Sequence, residues 1–281
     1  MYTLKVRNQY SEILELTHNE AYVITDITGL NPADAVINTT RNAGTDGSNF
    51  NGAYVDNRSI IITMAINSPA EDNRIKLYKY FKMKSPVRLY YKNSTRDVYI
   101  DGYVQHVNIT YFDKKQIAQI TVLCTNPFFN DVSDNTTEFN AIDSLFEFPF
   151  EIVNPIPFSD ISIGEEINVR NLGDVASGME IKIIVSGSVT NPVMYNVQTN
   201  EYFKILRTFS TGDVIVINTN KKNKKVQLTS GGVTASIVGN IASGSTWLQI
   251  DPGDNIFQIT ADVSPENIIA FCKTVTQYEG V

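Results

Sequence analysis

Residues that most often carry chemistry are scarce in this chain. Among 281 positions there are two histidines, His18 and His106, two cysteines, Cys124 and Cys272, and one tryptophan, Trp247. No Cys/His cluster has zinc spacing. His18 falls in the polar run Thr17-His18-Asn19-Glu20, and His106 alternates with Val107, so both read as exposed structural histidines. The carboxylate pairs Glu165-Glu166 and Asp251/Asp254 fit a solvated loop and a β-turn. A glycosidase pair would need one carboxyl held protonated in a cleft. Gly44-Thr45-Asp46-Gly47 lacks the strand-to-helix setting and the lysine of a phosphate loop. The expectation is therefore a protein with no catalytic site, no metal and no cofactor.

Long apolar runs are missing too. Nowhere do about eighteen apolar residues follow one another, as a membrane-spanning helix requires. The stretch Met1–Glu12 has no basic head followed by an apolar core, so a secretion signal is not expected, and synthesis in a cytoplasm is. Without such a signal, the Asn-x-Ser/Thr triplets at Asn38, Asn93, Asn108 and Asn135 carry little weight. Cys124 and Cys272 lie far apart in apolar runs and read as buried, reduced thiols; a disulfide between the two halves is allowed but not required.

Charged residues make up 19% of the chain and hydrophobic ones 42%, which excludes a disordered polymer. The net charge of -7 is uneven: residues 1–130 hold 14 Lys+Arg against 12 Asp+Glu, whereas residues 131–281 hold 9 against 18. An acidic second half is unsuited to gripping phosphate backbones. Its one basic cluster, Lys221-Lys222-Asn223-Lys224-Lys225, sits between two strand patterns and reads as a solvated hairpin tip.

What the chain does have is alternation. At this length two domains are expected, split at the polar stretch Asp131–Asn140 into 1–130 and 131–281. In the first, Thr3–Val6, Ile13–Leu16, Tyr22–Ile27 and Ser59–Ile66 read as strands, followed by Val87/Leu89/Tyr91, Val98 through Ile109, and Ala118–Cys124. Turns fall at Asn93-Ser94-Thr95 and Asp113-Lys114-Lys115. One helix is expected, with Ser68 as N-cap, Pro69 first, Glu71 as capping-box partner, and Ile75, Tyr78 and Phe81 as its apolar stripe. Residues 29–57 lack apolar periodicity yet contain Phe50 and Tyr54. A loop of that length in a compact domain is uncommon unless it is functional, and an arm ordered by a neighbouring subunit accounts for it.

The second half is β throughout. Gly212-Asp213 before Val214–Thr219, and Pro252-Gly253-Asp254-Asn255 before Ile256–Thr260, each pair a tight turn with an alternating strand. Further strands are expected at Leu145–Ile152, Ile161–Val169, Glu180–Val185, Val193–Val197, Glu201–Leu206, Lys225–Leu228, Trp247–Ile250 and Ile268–Lys273. Mainly β is thus the expected fold class: an N-terminal antiparallel sheet or split barrel with one helix, and a C-terminal β-sandwich.

The order Asn126-Pro127-Phe128-Phe129, Gly187 with Asn191-Pro192, Gly212-Asp213, Pro252-Gly253-Asp254-Asn255 and a closing Tyr278-Glu279-Gly280-Val281 resembles the distal tail proteins of long-tailed, siphovirus-type phages. The resemblance implies a virion protein of the tail tip. Its first domain would form a homohexameric ring, and its second would be a galectin-like or carbohydrate-module-like sandwich. It implies as partners the tail tube protein and the tail-tip and receptor-binding proteins, with DNA passing the ring's lumen unbound. Candidate subunit contacts are Thr45, Asp46, Asn49, Phe50 and Tyr54. The alternative is a carbohydrate-binding module that contacts a host cell-wall saccharide. Trp247 carries it, sharing a strand face with Gln249 while Leu248 and Ile250 point the other way, and Tyr195 and Tyr202 are lesser candidates.

Overall fold

Alternating apolar positions become sheet faces in both halves of the chain. The protein, seen here in a computed structural model, is described at residues 2–113, 115–133, 135–139, 142–143, 160–161 and 166–281. The strand expected at Leu145–Ile152 lies outside the described residues. Contacts divide the chain into unit 1, Met1–Val132 with Gln277–Val281, and unit 2, Ser133–Thr276.

Unit 1 contains β1 (Thr3–Arg7), β2 (Ile13–Glu15), β3 (Tyr22–Thr28), β4 (Ala35–Thr40), β5 (Asn49–Val55), β6 (Arg58–Ile66), α1 (Ala70–Tyr80), β7 (Pro86–Lys92), β8 (Asp97–Ile109), β9 (Gln116–Cys124) and β10 (Phe129–Asp131). The main sheet runs β2-β1-β7-β8-β9-β6-β3, with β10 paired to β8. Every pairing is antiparallel. Leu4, Val6, Ile60, Ile62, Met64, Leu89, Ile100, Ile120 and Val122 are buried on one face. The opposite face carries cross-strand ion pairs: Lys5–Glu15, Lys92–Asp97 and a two-pronged Arg88–Asp101 contact at 2.6 and 2.8 Å. Gly102 lets β8 press on β9, since a Cβ there would sit 2.6 Å from Val122 Cγ1.

The helix differs from its expected form. Pro69 occupies the N-cap after a cis Ser68–Pro69 bond, and no side chain caps the first turn. Glu71 turns to Arg74 instead of reaching back. Leu77 and Phe81 are the buried positions, while Ile75 is exposed. Of the expected stripe, Phe81 is buried and Tyr78 packs against the core, while Ile75 is replaced in the core by Leu77.

Unit 2 contains β11 (Asn135–Glu138), β12 (Ile142–Asp143), β13 (Asp160–Ile161), β14 (Ile167–Asn171), β15 (Met179–Val185), β16 (Val189–Asn196), β17 (Tyr202–Lys204), β18 (Thr208–Phe209), β19 (Val214–Asn218), β20 (Lys225–Ser230), β21 (Val233–Ser236), β22 (Gly253–Val263) and β23 (Ile268–Thr274). A six-stranded sheet, β11-β23-β15-β19-β20-β21, and a five-stranded one, β14-β22-β16-β17 with β18 on β16, share a single apolar core. Ile181, Ile215, Val226 and Ala270 come from the first sheet, and Val169, Met194, Phe257 and Ile259 from the second. This is the sandwich that alternation predicted. Of the lysine cluster, Lys221, Lys222 and Lys224 fall in the connection between β19 and β20, and Lys225 opens β20.

Trp247–Ile250 is not a strand. Leu248 and Ile250 do point inward, 0% and 1% exposed, but Ile250 pairs only as an isolated bridge with Ser177. The Gln249 side-chain amide donates to the carbonyls of Thr219, Trp247 and Leu248, so these oxygens bond a side chain rather than a neighbouring strand.

The chain returns to unit 1 as β24 (Gln277–Tyr278), which pairs with β10. The last five residues therefore pack in unit 1, not in the 131–281 domain to which the polar boundary assigned them. No composition break marks that return.

Candidate functional site

Residues 29–57 form a two-stranded ribbon, not a loop. β4 and β5 pair from Ala35↔Val55 to Thr40↔Asn49, with a bulge after Asn38. The tip, 41–48, turns through Gly44 and Gly47 at φ of 83° and 86°. Among the described residues the ribbon pairs with no other strand. Its apolar positions do not stand out in the sequence because the bulge puts Phe50 out of step with Ala53 and Val55, and neither face joins the core of unit 1.

The register sorts the side chains. Ala35, Ile37, Thr39, Phe50, Ala53 and Val55 share one face; Val36, Asn38, Thr40, Asn49, Gly52 and Tyr54 share the other. The first face is apolar but for Thr39. Ile37 is 57% exposed, Phe50 67% and Tyr54 55%. No charged residue lies within either strand; Arg41 and Asp46 are confined to the tip. Of the five expected contact residues, Thr45 and Asp46 lie at that tip, Asn49 opens β5, and Phe50 and Tyr54 project from opposite faces.

At the root of this arm sits Arg58, 3% exposed. Its Nε donates to Pro127 O at 2.6 Å, and one terminal nitrogen donates to Gly29 O and Asn31 O, both at 2.7 Å. The other terminal nitrogen donates to Glu279 O, and the guanidinium lies 4.6 Å over the Phe129 ring. Burial lowers its pKa from the usual arginine value, partly opposed by Cys124 and Glu279. One planar cation thus binds both ends of the arm to the strand exit at Pro127 and to the chain terminus. Gly29 is required here: at φ 88°, a Cβ would fall 2.2 Å from Ser59 O. Nothing in composition set Arg58 apart, although it directly follows the Asp56-Asn57 turn.

A second projection went unnoticed in the sequence. Phe112, at the tip between β8 and β9, is fully exposed, and its neighbour Tyr111 is held by Arg74 over its ring at 4.9 Å and by the Tyr78 hydroxyl at 3.2 Å. The expectation at this turn singled out Asp113-Lys114-Lys115, whereas the large apolar side chain sits just before it.

In unit 2, Tyr195 and Tyr202 face outward from β16 and β17, their rings 6.0 Å apart. Beside them Lys204 holds Asp262 at 2.7 Å, and Asn191 donates to the same carboxylate at 2.9 Å. Bonds from Lys204 and then Asn191 lower the Asp262 pKa. Trp247 does not join this pair. It is half-buried against the core, 5.1 Å from Phe203, with Lys224 Nζ 5.5 Å over its ring.

His18 and His106 are exposed, His106 next to a bulge in β8. Both thiols are free and buried, and burial pushes each up to about 12, far from a reactive thiolate. A surface cavity of unit 1 is lined by Arg7, Ser11, Arg88, Asp101 and Tyr103 among others, and its one carboxylate is taken up by Arg88. Among the described residues no three His, Cys, Asp or Glu side chains gather as a metal site. No described helix is long and apolar enough to cross a membrane.

Residues 172–272, all within unit 2, match the family model described as the siphovirus-type tail component, C-terminal domain. No curated protein sequence matches the chain. Among solved structures, it is similar to the Dit protein (gp 19.1) of SPP1, described as a paradigm of the hub adsorption apparatus in phages infecting Gram-positive bacteria. That likeness has a TM-score of 0.70 at 13% identity and covers 99% of each chain. It is also similar to a chain of the phage P2 baseplate in its activated conformation with calcium, at TM-score 0.54 and 13% identity over 100% of each chain. A strontium form of the p2 baseplate gives 0.52 and 11% over the same coverage. These matches bear out the resemblance to siphovirus-type distal tail proteins. All of them are structural components of tails and baseplates.

Proposed function

We propose that this chain is a hub component of a phage tail tip, closing into a homohexameric ring through unit 1. The ring joins the tail tube to tail-tip and receptor-binding proteins and leaves a lumen for DNA. One observation carries the subunit contact: the arm's apolar face, with Ile37 and Phe50 exposed, is covered by nothing in the described chain. A lone two-stranded ribbon is marginal in water, so a neighbour's surface is what would hold it. Six arms reaching forward make a head-to-tail contact that closes when the rotation per subunit is a sixth of a turn. The work is geometric, and no catalytic turnover is expected of it.

Native mass spectrometry tests this. The full chain should appear at six times 31.4 kDa, and a variant lacking residues 43–52 as folded monomers. A deletion variant that keeps the six-copy mass would overturn the arm as ring contact.

A second reading concerns unit 2 alone. The outward Tyr195–Tyr202 pair, flanked by the fixed Lys204–Asp262–Asn191 group, offers aromatic faces beside hydrogen-bonding groups, the combination that suits a saccharide of the host wall. Binding of a wall oligosaccharide on a glycan array, lost in Tyr195→Ala/Tyr202→Ala and kept in Trp247→Ala, is the expected result. An array without binding leaves this face a docking platform for proteins.

A further inference from the structure

We infer that Glu279–Val281 are a latch that sets the root of the arm, so that the arm is held in a fixed direction only when these residues are docked on it. The inference rests on the reading of the arm as a subunit contact and concerns how that contact is made ready.

The ribbon has no lateral strand partner among the described residues, so its direction depends on the two points where it enters and leaves unit 1. Both points touch the terminus. On the entering side, Val281 N donates to Leu30 O at 3.1 Å, and Gly280 lies against Pro32 so closely that a Cβ would meet Pro32 Cδ at 2.8 Å and Leu30 O at 3.2 Å. On the leaving side, Arg58 donates to Glu279 O with the same guanidinium that holds Gly29 and Asn31. The terminus has its own anchors: β24 on β10, the Tyr278 hydroxyl on Asp131 at 3.0 Å, Gln277 on Asn130 at 2.9 Å, and Arg96 bound to Gly280 O and lying 4.1 Å over the Tyr278 ring.

Chain order turns this geometry into a sequence of events. Arg58 and Glu279 are 221 residues apart, and all of unit 2 lies between them. The arm and Arg58 are synthesised early; the residues that close over the root follow only after unit 2. Before closure, Arg58 still has the carbonyls of Gly29, Asn31 and Pro127, so unit 1 can fold. The donor aimed at Glu279 and the Leu30 carbonyl then depend on water, and the arm swings on a looser root. A chain without Glu279–Val281 docked would fold its sheet yet present its arm poorly, which biases ring growth toward subunits whose root is latched.

The test is a chain ending at Tyr278, which keeps β24 and the Tyr278–Asp131 bond and removes the contacts to the root along with the Arg96 bond to Gly280 O, together with Gly280→Val in the full chain. Amide hydrogen exchange is read in a Phe50→Asp background, so that loss of a neighbour cannot imitate loss of the latch. In both variants the amides of 29–57 should exchange about tenfold faster or more, with the β6–β9 and β7–β8 amides unchanged. Native mass of the same variants with Phe50 restored reports ring formation. Faster arm exchange with rings lost supports the latch and the arm contact together. Faster exchange with rings retained supports the latch and removes the arm from the ring contact. Unchanged exchange of 29–57 in the two variants overturns the latch, whatever the ring does. Should the shortened chain fail to fold, Gly280→Val alone decides on the same criterion.

Discussion

Arg58 is the residue on which unit 1 depends most visibly, because its four bonds all go to carbonyl oxygens and none to a carboxylate. Its charge is spread over backbone dipoles, and each bond also satisfies an acceptor that a buried turn would otherwise leave unpaired. Arg58→Met should destabilise unit 1 by about 2–4 kcal/mol in urea unfolding, from carbonyls stranded without donors. Arg58→Lys keeps the charge but not the fork and should recover only part of that loss. The thiols make a second prediction at this scale. An unfolded thiol ionises near 9.0, whereas burial holds Cys124 and Cys272 protonated up to about 12. A raised native pKa contributes stability that is complete below pH 9 and is lost as pH rises toward 12. The urea midpoint should therefore fall between pH 8 and pH 10.5. Cys124→Ala/Cys272→Ala should flatten that fall, and a thiol reagent at pH 8 should label neither cysteine until the chain unfolds.

At the scale of elements, the sheet strands and the arm behave oppositely under substitution. Leu77 and Ile75 are two positions apart on α1 and so lie on opposite sides, and only Leu77 is buried; Leu77→Ala should cost about 2–5 kcal/mol and Ile75→Ala under about 0.5, measured as shifts in the unfolding midpoint. On the arm, Ile37→Asp/Phe50→Asp adds charge to a face that no other part of the described chain covers. Thermal stability of the isolated subunit should move by no more than about 0.5 kcal/mol, while the oligomer dissociates. A variant that assembles as before would show that the apolar face is not the contact. The same contrast explains what could be read from the sequence. Ile60, Ile62, Met64 and Ile66 alternate because a core selects them, and β6 was legible from that alone. β4 and β5 alternate without a core to select them, Leu248 and Ile250 alternate without being a strand, and of the helical stripe Phe81 and Tyr78 meet the core while Ile75 does not. Periodicity reports burial first and hydrogen bonding only through it. Phe50 and Tyr54 are conspicuous as large aromatics in a polar run; Arg58 is not, and the closing Tyr278–Val281 stands out only as part of the resemblance, since the Arg58–Glu279 contact spans 221 residues.

In the whole chain, unit 2 lies in sequence between β10 and β24, two paired strands of unit 1. Trypsin should cut first in the arm tip after Arg41, ahead of any site within the strands of either sandwich sheet. Chemistry is not part of the account, so His18→Ala and His106→Ala, both at exposed positions, should leave assembly unaltered. The measurement that bears most directly on the central claim is the native mass of the full chain beside that of Ile37→Asp/Phe50→Asp at equal concentration. A six-copy particle for the first and a folded single chain for the second is the result the account predicts; the same mass for both, at any copy number, would contradict it.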